Sequence, residues 1–244
     1  MSDDELPARG YANFRDLGGH STPSGHVKQR EVYRSDTLSH VDDAEVEHLV
    51  ERLGIRTIID LRHENEILAM PLSSLEAAGV SVHHVPLVDP AQPSWQPLEA
   101  SATLGERYEF ILGTAGSQFV VALRLIAEAS HRPLVFQCMA GKDRTGLLAA
   151  LLLGLLGASQ ETIVADYARS SDAIPAMLAR LDAGGSVYDP EVVRPYLTAD
   201  AATMEYALAK IGERYGSIEQ YVTGNGLEPH EIASLRATLV EPGE

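Results

Sequence analysis

The chain has 244 residues, 45% of them hydrophobic and 22% charged, with a formal charge of −16 at pH 7. That length and composition describe a soluble globular protein with a real core, either one large α/β domain or two small ones. The acidity excludes a general nucleic-acid binder and a broad docking patch for anionic membranes, both of which need a basic surface, and is read as serving solubility.

The N-terminus, MSDDELPARG, is acidic and polar and is not a secretory signal, so the cytoplasm is the default location; this does not speak to export by signal-independent routes. The first forty residues are rich in glycine and turn formers (DLGGHSTPSGHVKQ), with one short strand expected at REVYRS, 30–35. DDAEVEHLVERLG, 42–54, places Val46, Leu49, Val50 and Leu53 on one helical face, with acidic residues in the first turn and Gly54 as a stop. IRTIIDL, 55–61, reads as a buried strand. RHENEILAM, 62–70, reads as a short helix that ends before Pro71. GVSVHHVPLVD, 79–89, reads as a strand running into a loop at Asp89 and Pro90. His83 and His84 are adjacent on that strand and face opposite ways, so no shared metal is expected there.

The proline-rich PAQPSWQPLEA, 90–100, is either a lid or a connection, of which the connection is preferred. Two helical stretches follow, from about Leu104 to Ser130. RPLVFQC, 132–138, is the most apolar strand, and RTGLLAALLLGLLG, 144–157, is a buried helix. The apolar run within it is too short to span a bilayer. Most of the remainder is helical, through TMEYALAKIGERYGSIEQYV and PHEIASLRATLV. Strands alternating with helices predict an α/β fold, with a mostly parallel central sheet covered on both faces and a helix-rich C-terminal half. No linker divides the chain, so residues 1–244 are expected to form a single domain.

The chain has one cysteine, which excludes an internal disulfide and a cysteine-rich zinc site. It lies in FQCMAGKDRTG, 136–146, at the carboxyl end of the most apolar strand, the edge where open α/β sheets bind ligands. Between Cys138 and the helix expected from about Arg144 lie Met139, Ala140, Gly141, Lys142 and Asp143. Gly141 permits a tight turn, and such a turn with the helix N-terminus can aim several N–H groups at an anion. Arg144 adds a planar fork that grips two phosphoryl oxygens at once. Helix N-termini and nearby cations favour the nucleophilic thiolate, and Thr145 places a hydroxyl that can stabilise a departing thiolate. A Walker A loop does not fit, because Asp143 stands where Ser or Thr is needed and Phe136 where the first Gly is needed. Reading Cys138 as a plain buried apolar residue leaves Gly141, Lys142, Arg144 and Thr145 unexplained at their spacing.

At these residues the chain resembles the protein tyrosine phosphatase superfamily, whose signature is HCxxGKxR[ST]G; QCMAGKDRTG matches all but its first residue. The likeness is closer to the bacterial tyrosine phosphatases with an AGKDRT loop, some of which also act on phosphoinositides. NFRDLGG (13–19), VYRSDTL (32–38), IRTIIDLR (55–62) and YGSIEQYV (215–222) extend it over most of the chain. The resemblance implies a cysteine-phosphatase fold and the hydrolysis of phosphotyrosine, with phosphoserine, phosphothreonine and phosphoinositides as further candidates. It implies a phosphocysteine intermediate and no metal or other cofactor. Cys138 would be the nucleophile. Arg144 and the loop residues Met139, Ala140, Gly141, Lys142 and Thr145 would hold the substrate.

Two aspartates compete for the general acid. Asp143 resembles the loop acid of myotubularin-like phosphatases, and Asp89 the acid-bearing loop of dual-specificity phosphatases. Asp143 is preferred because its reach to the leaving oxygen needs no loop closure. Lys142 would contact additional negative charge, or else be a solvated loop-tip cation. Arg15, Asp16, Asp60 and Arg62 are each more readily buried braces; of the four, Arg62, just past a strand end on the active edge, is the best candidate for a phosphate contact. The family's His before the nucleophile is Gln137 here, which implies a weaker thiolate or slower turnover. It also leaves open a catalytically impaired pseudophosphatase that binds phosphorylated partners. An arsenate reductase fits poorly, since it needs further cysteines. The expected partner is a phosphorylated protein or a phosphoinositide, with no nucleic acid and no stable membrane insertion; the oligomeric state is left open.

Overall fold

The computed structural model describes residues 10–87, 103–183, 191 and 194–243. Its centre is a five-stranded sheet. The strands are β1 (Arg15–Asp16), β4 (Val32–Ser35), β7 (Leu134–Gln137), β5 (Thr57–Asp60) and β6 (Ser81–His84), side by side in that order. β4, β7, β5 and β6 are mutually parallel, and β1 closes one edge antiparallel to β4. Burial follows the two-residue period of a strand. Val32, Ile59, Leu134 and Phe136 enter one core, while Tyr33, Ile58 and Val135 enter the other. Both faces are therefore covered, as the fully buried strands β4, β5 and β7 require.

The smaller core lies against α1 (Asp43–Glu47), which continues as a π-helical turn over His48–Arg52, and α3 (Ser73–Ala77). Gly54, expected as the stop, follows at φ 70°. α2 (Glu64–Ala69) ends before Pro71 as its sequence predicts. The larger core is built from α4 (Leu104–Thr114), α5 (Gly116–Ala127) and α6 (Asp143–Leu155), with the helices that follow packed around them. α6 is apolar on every side, and ten of its residues are buried, Thr145 through Leu153 and Leu155. It is the core helix of the larger layer. Among the described residues no single helix is long and apolar enough to cross a membrane.

The C-terminal half is helical through α7 (Gln160–Ala168), α8 (Ile174–Asp182), α9 (Ala201–Tyr215), α10 (Ile218–Gly224) and α11 (Pro229–Leu239). The stretch TMEYALAKIGERYGSIEQYV is two helices. Gly216 ends the first, and the Ser217 side chain caps the second by accepting from the Gln220 N–H at 3.0 Å. A second sheet, β2 (Ser21–Thr22), β3 (Gly25–Val27) and β8 (Val240–Pro242), was not expected from the sequence, because its strands are two or three residues long. Asp89 and the proline-rich stretch 90–100 lie outside the described residues, so the reading of that stretch as a connection does too.

The register of the main sheet sets up the site. Ser35, Gln137 and Asp60 are cross-strand neighbours at the carboxyl ends of β4, β7 and β5. The three segments that leave those strands therefore emerge at one edge.

Candidate active site

β7 delivers Cys138 to that edge, where it is buried with 1% exposure. The chain then turns back on itself at Gly141, whose φ of +61° belongs to the left-handed region. A Cβ there would lie 2.3 Å from the Asp36 backbone nitrogen, so both the conformation and the approach of β4's exit segment require glycine. α6 begins at Asp143, one residue before the sequence suggested, and Gly146 N donates to Lys142 O at 2.8 Å.

The loop's carbonyls are held from outside. Met139 O accepts from Thr37 N at 3.1 Å. Ala140 O and Gly141 O accept from Asn13 Nδ2 at 3.1 and 3.0 Å, and Gly141 O also accepts from Arg34 Nη2 at 2.8 Å. In a trans peptide the N–H points opposite to the C=O. Fixing these three carbonyls therefore turns the N–H groups of Ala140, Gly141 and Lys142 the other way, away from the buried donors. The result is a loop with a donor-rich concave side.

The donors behind the loop form a compact ionic cluster. Arg34 is fully buried, and its Nη1 donates to Asp166 Oδ2 at 2.5 Å. Arg15 Nε donates to Asp166 Oδ1 at 2.8 Å. Burial pushes the Asp166 carboxyl up, but the adjacent guanidinium groups of Arg34 and Arg15 outweigh it and hold the group at about 2. Burial, and then the like charge of Arg34, lower Arg15 to about 10. Two guanidinium groups thus share one carboxylate behind the turn, one of them also holding its Gly141 carbonyl.

Arg144 is oriented by a bidentate pair with Glu66, Nη1 to Oε2 at 2.6 Å and Nη2 to Oε1 at 2.8 Å. Glu66 is buried and also closes the capping box of α2 by accepting from His63 N at 2.6 Å. One carboxylate therefore fixes a helix start and the plane of the loop arginine together.

Lys142 is not a solvated loop-tip cation. It is 1% exposed, and its Nζ donates to Tyr196 O at 2.5 Å and Thr198 O at 2.7 Å, while lying 3.0 Å from Asp143 Oδ1. Asp143 Oδ1 also accepts from the Tyr108 hydroxyl at 2.7 Å. Of the two roles weighed for Arg62, brace and phosphate contact, its surroundings are those of a brace. Arg62 is fully buried; its Nε and Nη2 donate to Asp60, and its Nη1 to Thr37 Oγ1, Ser39 Oγ and Met70 O. It braces the exits of β4 and β5. Asp16 accepts from Gly18 N and Arg30 N and so shapes a local turn.

Two buried polar atoms on the strand and the helix that flank the loop have no partner among the described residues, Gln137 Nε2 and Thr145 Oγ1. The other amide atom of Gln137, Oε1, accepts from Leu38 N at 2.8 Å. His84 Nε2 lies 2.7 Å from Arg62 O, and the His83 ring packs on His131, so the histidine pair is divided as its strand position predicts. Among the described residues no cluster of three or more His, Cys, Asp or Glu is placed to hold a metal. Asn13, Arg34, Glu66, Tyr108 and Asp166 were not singled out from the sequence. Asn13 and Arg34 lie within NFRDLGG and VYRSDTL, segments that had been noted, whereas nothing local marks the other three.

A thiol at the end of the central parallel strand, a donor-lined turn and an arginine held in plane at the following helix define the cysteine-phosphatase class of α/β fold. Residues 6–241 match the model of the tyrosine phosphatase family. The chain belongs to that family and is a protein-tyrosine phosphatase. It is 29% identical, over an alignment 278 positions long with gaps, to the triple specificity protein phosphatase PtpB of Mycobacterium tuberculosis, covering 97% of this chain and 98% of that one. It is 30% identical over 223 residues to a tyrosine-protein phosphatase of Nostoc commune, covering 86% and 74%. A looser likeness, at 19% identity and a TM-score of 0.45, links 80% of the chain to 93% of the catalytic core of the yeast PP-IP phosphatase Siw14.

Proposed function

We propose that the protein hydrolyses phosphotyrosine through a phosphocysteine intermediate, with Cys138 as nucleophile, Arg144 and the loop amides as the phosphoryl cradle, and Asp143 as general acid. The observation that carries this reading is the outward binding of the Met139, Ala140 and Gly141 carbonyls, which leaves the opposed N–H groups for an anion. In the first step the Cys138 thiolate attacks phosphorus, the P–O bond to the leaving group breaks, and Asp143 gives its proton to the departing oxygen. In the second, water attacks the phosphocysteine, the Asp143 carboxylate takes a proton from it, and the S–P bond breaks to release phosphate. Arg144 and the amides stabilise the equatorial oxygens throughout. The unspent Thr145 hydroxyl is available to the sulfur as it departs.

PtpB is named a triple specificity phosphatase, which supports substrates beyond phosphotyrosine; phosphoserine, phosphothreonine and phosphoinositides are the candidate classes. For a phosphoinositide, Lys142 would have to exchange the Tyr196 and Thr198 carbonyls for a second phosphate. The assay is turnover of p-nitrophenyl phosphate and a phosphotyrosine peptide, with acid-quench trapping of a phosphoenzyme. Cys138→Ser is expected to abolish both turnover and trapping, and a wild type as inert as Cys138→Ser overturns the reading. With a poor leaving group, Asp143→Asn should lose about 10²-fold or more in rate and Asp89→Asn far less; equal or reversed losses hand the role to Asp89.

A further inference from the structure

We propose that Tyr108 is the positioning residue of the general acid, fixing which oxygen of Asp143 carries the proton that the leaving group receives. This rests on the assignment of Asp143 above. Tyr108 lies on α4, has no solvent exposure, and cannot reach a substrate directly. Its hydroxyl is 2.7 Å from Asp143 Oδ1 and 2.9 Å from the hydroxyl of Tyr167 on α7. A phenol has one proton to give. With Asp143 accepting, the chain of donation runs from Tyr167 to Tyr108 to Asp143 Oδ1.

The same oxygen faces Lys142 Nζ at 3.0 Å. Oδ1 is thus held by one hydrogen bond, from Tyr108, and one ion-pair contact, with Lys142, whereas among the described residues Oδ2 accepts from none. A proton added to the carboxyl therefore belongs on Oδ2, and holding Oδ1 sets the direction in which Oδ2 faces. Burial first, and then the Asp143 charge, keep the Tyr108 phenol well above its ordinary value, so it remains a donor wherever the enzyme turns over. The ring is itself locked edge-on against Tyr167, with centroids 6.0 Å apart at 89°. Two buried phenols could satisfy each other alone. The added bond to the loop aspartate is what distinguishes this pair from a core contact.

The test is a series of aryl phosphates whose leaving groups run from p-nitrophenol to phenol, measured for wild type, Tyr108→Phe, Tyr167→Phe and Asp143→Asn. Tyr108→Phe should stay within about twofold of wild type on p-nitrophenyl phosphate and fall about tenfold in kcat on phenyl phosphate, with KM unchanged, a part of what a general acid supplies. Asp143→Asn should show the same steepening more strongly, and adding Tyr108→Phe to it should change nothing further. Tyr167→Phe removes a hydroxyl from the same pair but leaves the bond to Asp143, and should keep the wild-type dependence. Steepening in Asp143→Asn with a uniform loss in Tyr108→Phe overturns the role of Tyr108, as does equal steepening in Tyr167→Phe. Absence of steepening in Asp143→Asn overturns the general-acid assignment itself, and this proposal with it.

Discussion

Gln137 stands beside the candidate nucleophile and makes one bond that the neighbouring strand depends on. Its Oε1 takes the Leu38 N–H at 2.8 Å, in a region with no access to water. Gln137→Ala would leave that N–H buried and unpaired and open a void, and a buried orphan donor costs about 1–3 kcal/mol. Urea unfolding should show this loss, and an unchanged midpoint would mean that Leu38 finds another acceptor. At this scale, the residues of the loop were legible in the sequence because a strand, a turn and a helix start lie within a dozen positions and fix one another locally. The place of Lys142 was not, and of Arg62 only its bracing against Asp60 was. A long side chain goes where its partners are, and those partners, Tyr196, Thr198 and Met70, sit on other elements.

The elements themselves were read well where their apolar period is strong, as in β5, β7, α1 and α6. What the sequence could not show is which helix supplies the counter-charge behind the loop. That helix is α7, whose Asp166 meets Arg15 and Arg34 from β1 and β4. The Asp166 carboxyl is held at about 2 against an ordinary value of 3.8. A depressed carboxyl stabilises the fold fully above its unfolded value, and this contribution is lost as pH falls through the folded one. The cluster should therefore weaken between about pH 4 and pH 2, by about 2 kcal/mol. Asp166→Asn should remove that part of the acid dependence. It should also cost about 3–5 kcal/mol at neutral pH, because two buried guanidinium groups lose their shared partner. Urea midpoints from pH 5 to pH 2.5 for the two proteins check both effects. Parallel curves would show that the cluster does not couple to folding.

At the scale of the whole molecule, the small sheet joins segments from far apart in the chain, 21–27 and 240–242. No periodicity marks strands so short, and their pairing comes from the larger core bringing α11 alongside β3. Val27 pairs with Val240, and Lys28 N donates to Leu239 O at 2.8 Å. The contact is close enough to demand glycine. A Cβ on Gly25 would lie 1.9 Å from Glu241 O, and the Gly25 φ is +141°. Gly25→Ala must therefore push β8 away or bend β3, and overpacking of this kind costs about 1–3 kcal/mol. The expected result is a lowered melting temperature together with faster amide exchange along 240–242. Turnover of p-nitrophenyl phosphate should stay within about twofold of wild type, because the loop hangs from the other sheet and none of the donors that hold its carbonyls comes from β2, β3 or β8. A large loss of kcat at full folding would show that the small sheet reaches the Cys138–Thr145 loop, the natural route being Arg15, which lies on β1 just ahead of β2 in the chain.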